Sequence, residues 1–187
     1  MTHIQCLCPR LKESRIKVHH EIWRGICSGI ESATLDWQGF QEQEAGKPLP
    51  DSAPDDIELE EWNKMTAALS RSQMGAKGAK MVDISRQRPD GFFIKWGHRT
   101  AVVCEFSRRM VHTPASCSEI DDEKLVHYRE LLIQMRRHLP NWDILWAPFS
   151  VGVRGTILKT TWHRNFDILG IPTDKREGIM AGAVQHS

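Results

Sequence analysis

Hydrophobic residues recur at helical spacing in four parts of the chain. The patterns cover residues 11–30, about 55–69, 118–139 (or 121–139, depending on the capping residue) and 156–169. Residues three and four apart share one face of a helix, so each pattern predicts an amphipathic helix.

Short apolar runs between these helices predict β-strands. Residues 90–96 and 100–107 form two strong candidates joined by a turn at 97–98, residues 143–153 form a third, and residues 81–85 a weaker one. The alternation of helices and strands predicts an α/β fold with a small mixed central sheet flanked by helices.

Three segments lack such patterns. Residues 31–80 contain GKPLPDSAPDD and SQMGAKGAK around the short helix, which is typical of loops, so an insertion is predicted there. The tail at 173–187 is predicted to be disordered. Residues 1–10 carry cysteines and a histidine before any element and resemble the end of a preceding segment, which leaves 11–172 as a single domain.

Composition narrows the function classes. The formal net charge is only +1, so any nucleic-acid binding must come from local basic clusters. No apolar stretch is long enough for a membrane span, and five cysteines in no disulfide pattern favour a reducing compartment, nuclear or cytoplasmic. We therefore expect no membrane partner.

Two acids bound the strand pair at 90–107. Asp90 follows Pro89 at the start of one strand, and Glu105 lies within the other. A carboxylate on a half-buried strand needs a compensating cation, and Mg²⁺ takes one or two carboxylates together with water and phosphate oxygens. The alternative is structural, with Asp90 starting a Pro-Asp-Gly turn and Glu105 pairing with an arginine such as Arg108.

The acid pair and its spacing resemble the core of the PD-(D/E)XK nuclease superfamily. More narrowly, four further stretches resemble the restriction-like endonuclease domain of site-specific non-LTR retrotransposon reverse transcriptases. They are THIQCLC at the N-terminus, RIKVH at 15–19, DDEKLVHY at 121–128 and APFSVGVRGTI at 147–157. The resemblance implies a restriction-endonuclease-like fold.

The resemblance also implies site residues. Asp90 and Glu105 would hold Mg²⁺ or Mn²⁺. The superfamily lysine two residues after the second acid is Ser107 here, and the retrotransposon branch carries it on the next helix, at the position of His127. Lys124 lies one turn earlier on the same helix face and is preferred over His127 for this role, with Tyr128 packing in the same cluster.

The opening segment resembles the second half of a zinc knuckle. His3 and Cys8 match the last two ligands of that motif. Two ligands cannot close a tetrahedral zinc site, so a bound zinc is not expected from this segment alone.

The function implied is a metal-dependent endonuclease that nicks target DNA, acting with a reverse transcriptase to expose a 3′ hydroxyl. Arg88, Arg108 and Arg154 are the candidates to bind DNA phosphates. Two alternatives remain: a degenerate fragment that keeps the fold and weak DNA binding without cutting, and an interaction domain whose acids only form ion pairs.

Overall fold

The computed structural model describes residues 12–33, 36–49, 57–71, 83–110 and 113–185. Its helices are α1 Lys12–Ala33, α2 Ile57–Arg71, α3 Pro114–His138, α4 Lys159–Ile168 and α5 Thr173–Gln185. Its strands are β1 Gln38–Gln41, β2 Gly91–Lys95, β3 Thr100–Arg109 and β4 Asp143–Gly152. Short 3₁₀ turns lie at Ile84–Arg86 and Trp96–His98.

The four strands form one open sheet in the order β1-β2-β3-β4. The first two pairs are antiparallel, with Gly91 opposite Cys104 at one end of the β2–β3 register. The amides of Asp143 and Val153 donate to the carbonyls of Arg99 and Arg109, at 2.8 and 3.0 Å. In both bonds the donor follows the acceptor by the same number of residues along the chain, so β3 and β4 are parallel. The predicted mixed sheet flanked by helices is therefore confirmed.

Residues of the chain cluster into two compact units. The terminal unit takes the chain up to Leu35 together with Glu105–Lys124 and the chain from Ala147 onward, and the central unit takes Asp36–Cys104 and Leu125–Trp146. Each of β3, α3 and β4 therefore contributes one part to each unit.

The core of the central unit is mainly apolar, with large aromatic side chains at its centre. Trp62 lies against Phe92 and Trp142, with ring centroids 5.7 and 5.8 Å apart. The α3 residues of this core include Leu131 and Met135, both fully buried. In the terminal unit, an aromatic cluster joins α1, β3, β4 and α4 through Trp23, Phe106, Phe149, Trp162 and Phe166.

Residues 36–49 correct the prediction that this stretch is only loop. β1 adds a strand to β2, and Phe40, Ala45 and Leu49 are buried in the core of the central unit. A four-residue strand is too short to show alternation, so the sequence pattern missed it. The weaker strand predicted at 81–85 is also wrong where it is described, because a 3₁₀ turn capped by Asp83 occupies Ile84–Arg86.

Helix α3 begins at Pro114, earlier than predicted. Thr113 Oγ1 accepts from the amide of Ser116 at 3.3 Å, which caps the helix, and proline is favoured in the first helical turn. The helix at 156–169 is confirmed with a later start, at Lys159, and Gly170 follows it at φ +65°.

The predicted disorder after residue 172 is wrong for Thr173–Gln185, which form α5. This helix packs on α1 in the terminal unit, where a Cβ at Gly29 would come within 2.7 Å of Ile179. Its weak amphipathic pattern gave no signal, and the contact with α1 stabilises it.

Candidate functional site

Glu105 is a buried carboxylate on β3. Its neighbours along the strand are apolar on both sides, because β3 is covered on both faces, and Glu105 is only 5 % exposed. A buried carboxylate is stable in its charged form only next to a cation or strong hydrogen-bond donors.

Lys124 supplies that cation. Its ammonium forms a short ion pair and hydrogen bond with Glu105 Oε1, and its side chain is 25 % exposed. The resemblance to the nuclease family implied a role for Lys124 near the acid pair, and its contact with Glu105 is consistent with that expectation. Helix α3 therefore brings an ammonium onto the buried carboxylate of β3 within the terminal unit.

Asp90 lies in a bend directly before β2, in the central unit, and is half-buried. Its carbonyl accepts from the amide of Glu42 at 2.9 Å, and the Arg88 guanidinium lies 3.2 Å from the Glu42 carboxylate. Gly91, the next residue, is paired with Cys104, which directly precedes Glu105. Each acid therefore adjoins one member of the same cross-strand pair.

His127 and Tyr128 belong to the central unit. Tyr128 is buried and donates its hydroxyl to the carbonyl of Arg88 at 3.2 Å, which ties α3 to the segment leading to Asp90. His127 is exposed, contacts the Tyr128 ring edge-on, and its carbonyl accepts from Gln87 Nε2 at 2.9 Å. The His127 side chain is therefore exposed to solvent, whereas the ammonium of Lys124 contacts the Glu105 carboxylate.

Three more polar residues accompany the ion pair in the terminal unit. Ser150 on β4 donates to Asp121 Oδ1 on α3 at 2.6 Å, and both residues are buried. Ser107 lies two residues after Glu105 on the same strand face and is 6 % exposed. We call Glu105, Ser107, Asp121, Lys124 and Ser150 the polar layer.

Burial controls the ionisation of Asp121. Desolvation raises the pKa of its carboxyl from 3.8 to about 6, against the opposing effect of the Ser150 hydrogen bond. At the exposed edge, Glu123 accepts two hydrogen bonds from Arg109, at 2.7 and 3.0 Å, which lower the pKa of this carboxyl. The first half of α3 is thus joined to the strands by Asp121, Glu123 and Lys124.

Sequence reasoning did not single out Asp121, Ser107 or Ser150 as a group. At the sequence level Asp121 is a potential helix cap and the first residue of the stretch at 121–128, and a serine within a strand carries no signal of its own. The pairing of β3 with β4 brings these residues together, and their separation in sequence hides it.

The predicted DNA-binding arginines occupy different environments. Arg154 is exposed in the turn after β4, and Arg108 is half-buried near the end of β3. Val153 donates to the carbonyl of Arg109, so these two arginines lie at the same end of the β3–β4 pair in the terminal unit. Arg88, in the central unit, is held by Glu42.

His3 and Cys8, the predicted partial zinc site, lie outside the described residues. Over the ranges 12–33, 36–49, 57–71, 83–110 and 113–185, no group of three or more His, Cys, Asp or Glu side chains could hold a metal ion. Glu105 itself suits Mg²⁺ or Mn²⁺, because a carboxylate oxygen is the ligand that such hard cations bind.

No protein-family model matches the chain, and no curated protein matches it. No helix in the described part of the chain combines the length and the apolar character needed to cross a lipid bilayer.

Proposed function

We propose that this protein is a divalent-metal-dependent DNA endonuclease domain with a restriction-endonuclease-like fold. In this proposal it nicks target DNA for target-primed reverse transcription within a retrotransposon protein. The observation that carries the proposal is the contact between the ammonium of Lys124 and the buried carboxylate of Glu105. A buried acid and a partly exposed lysine on adjacent elements form the type of pair that phosphodiester hydrolysis uses.

Glu105 and Asp90 are the proposed ligands of Mg²⁺ or Mn²⁺. Such a cation lowers the pKa of bound water and offsets negative charge at the scissile phosphate. Glu105 is the proposed ligand within the terminal unit. Asp90, which directly precedes Gly91 in the central unit, is the second ligand that the resemblance implies.

Lys124 is the proposed cationic group. Its ammonium would orient the attacking water and balance the charge that develops on the phosphate oxygens. The water oxygen bonds to phosphorus as the bond to the 3′ oxygen breaks, and that oxygen takes a proton. The products are a 3′ hydroxyl, which a reverse transcriptase can extend, and a 5′ phosphate.

DNA would be held by arginines that contact phosphates rather than bases. Arg108 and Arg154 lie at one end of the β3–β4 pair, and Arg88 lies two residues before Asp90. Phosphate contacts position the duplex without reading its sequence. A few arginines clustered at the site can make such contacts even though the net charge of the chain is only +1.

One observation also favours a domain that does not cut. The Glu105–Lys124 ion pair offsets the charge of both groups in the absence of any metal. A degenerate retroelement fragment with the same fold would keep this pair for stability, so activity must be measured directly.

The test is nicking of supercoiled plasmid in Mg²⁺ or Mn²⁺ by the wild-type protein and by Asp90→Asn, Glu105→Gln and Lys124→Met. The expected result is cutting that EDTA abolishes and that each substitution lowers on the order of 100-fold or more. Circular dichroism and thermal unfolding of each variant establish that the fold is kept.

Glu119→Gln and Asp122→Asn are matched controls, because both acids are exposed on the first half of α3. They should cut like the wild type. Cutting that survives Glu105→Gln would contradict the proposal, and a folded wild type that binds DNA without cutting would establish the degenerate fragment instead.

A further inference from the structure

Two buried serines lie in the polar layer of the terminal unit, on neighbouring strands. Ser150 is 2 % exposed, and its hydroxyl donates to Asp121 at 2.6 Å. Ser107 is 6 % exposed, and among the described residues its Oγ has no hydrogen-bond partner. One hydroxyl is thus satisfied within the protein and the other is not.

A buried hydroxyl without a partner destabilises a fold, because it loses its hydrogen bonds to water. Alanine would occupy nearly the same volume without that penalty. The unsatisfied hydroxyl of Ser107 therefore indicates a group outside the described protein atoms that it can contact.

The position of Ser107 suggests what that group is. Side chains alternate along a strand, so Ser107 lies on the same face as Glu105, one step closer to the end of β3 that carries Arg108. Same-face neighbours on a strand are roughly 6.5–7 Å apart. That separation accommodates one water molecule on a cation held by Glu105.

The ligand set leads to the same conclusion. One or two carboxylates leave most of the coordination positions of Mg²⁺ to water, and those waters need hydrogen-bond partners to be held in place. Lys124 occupies the helix side of Glu105 as a donor. Ser107 has a hydroxyl that can accept a hydrogen bond on the strand side.

We infer that Ser107 is a positioning residue for a water ligand of the Glu105 cation, an inference that rests on the proposed function. Its Oγ accepts a hydrogen bond from the bound water and so favours the metal-loaded protein. In the metal-free protein this hydroxyl has no partner and lowers the stability, and the water brought by the cation removes that loss.

The test compares Ser107→Ala with Ser150→Ala, its matched control on β4. After removal of metal with EDTA, Mn²⁺ and Mg²⁺ are titrated by calorimetry, and thermal unfolding is measured with and without each ion. For Ser107→Ala we expect metal affinity to fall on the order of tenfold while the metal-free melting temperature stays the same or rises. For Ser150→Ala we expect the metal-free melting temperature to fall, because Asp121 loses its donor.

The possible outcomes distinguish a failure of the proposed metal site at Glu105 from a failure of the role of Ser107. A wild type that binds neither ion overturns the proposed metal site, and Glu105→Gln should abolish binding if that site is right. Wild-type binding left unchanged by Ser107→Ala overturns only the role of Ser107. A lower metal-free melting temperature for Ser107→Ala also overturns it, because the hydroxyl would then be satisfied in the resting protein.

Discussion

The two halves of α3 differ in what they bury. Residues of the second half, such as Leu131 and Met135, lie in the apolar core of the central unit. The first half carries Asp121 and Lys124, which contact Ser150 and Glu105 in the terminal unit. The second half of α3 thus buries mainly hydrocarbon, whereas the first half buries a carboxylate beside the apolar residues Cys117 and Ile120.

This difference separates stability from candidate chemistry. Apolar burial is the dominant favourable contribution to folding, and both units have a buried apolar core. Buried charges seldom stabilise a protein more than apolar residues of the same volume would. The polar layer is therefore the candidate site rather than the main source of stability.

The largest expected change in the free energy of unfolding comes from the apolar core of the central unit. Trp62→Ala in the core of the central unit should lower the free energy of unfolding by about 3–5 kcal/mol, because a large buried ring leaves a cavity. Urea unfolding measures the loss. Ile57→Ala on the same helix is the control, with a change under about 0.5 kcal/mol expected, since Ile57 is 67 % exposed. Similar losses for both variants would mean that Trp62 is not part of a close-packed core.

The second effect is a pH dependence that arises in the polar layer. Burial raises the pKa of Asp121 from 3.8 to about 6, so the folded protein binds this proton more tightly than the unfolded chain. Stability from this group is therefore greatest below pH 4 and is lost as the pH rises from 4 through 6. Asp121→Asn should remove a decline of about 2–3 kcal/mol between pH 4 and 7.

Urea unfolding at several pH values measures this decline as the difference between wild type and variant. Asp122→Asn, an exposed neighbour, should leave the wild-type profile unchanged. A wild-type profile that matches Asp121→Asn across this range would show that Asp121 ionises as a solvated acid does.

The third effect concerns the ion pair. Lys124→Met removes the ammonium that offsets the buried charge of Glu105, and should lower the free energy of unfolding by about 1–3 kcal/mol. Under the proposed function, Mn²⁺ should restore part of that loss, because a metal ion supplies the missing positive charge. Thermal unfolding with and without Mn²⁺ measures both quantities.

Lys159→Met tests an exposed lysine whose pair with Glu177 spans 3.6 Å, and should change stability by less than about 1 kcal/mol. If Lys124→Met behaves like this control, the Glu105–Lys124 contact is no stronger than a surface ion pair.

The smallest effect is expected where α3 meets the segment before Asp90. Tyr128→Phe removes the hydrogen bond to the carbonyl of Arg88 and should lower stability by about 0.5–1.5 kcal/mol. Because this hydroxyl bonds to backbone, plasmid nicking should fall far less than with Glu105→Gln. A loss as large as that of Glu105→Gln would instead assign Tyr128 a direct part in cutting.

Long elements were predictable, and short or tertiary-dependent ones were not. The 25-residue α3 and the apolar strands β3 and β4 follow from patterns that extend over many residues. β1 and α5 were missed, the first because four residues show no alternation and the second because its stability comes from packing on α1.

The residues of the candidate site could likewise be identified in part from the sequence, while their contacts could not. Asp90 and Glu105 could be selected from the sequence as acids on two neighbouring strands, and the resemblance to the nuclease family added Lys124. The contact of Lys124 with Glu105 depends on how α3 packs against β3.

The sequence by itself determined the long helices and the long apolar strands, and that each strand of one neighbouring pair carries or follows an acid. These are local properties, set by side-chain size, polarity and spacing along the chain. Only the tertiary structure decided that Asp121, Ser150 and Ser107 accompany the ion pair in a buried polar layer. Their proximity depends on the order of β3 and β4 in the sheet and on the packing of α3, because Asp121 and Ser150, 29 positions apart, meet only when those elements assemble.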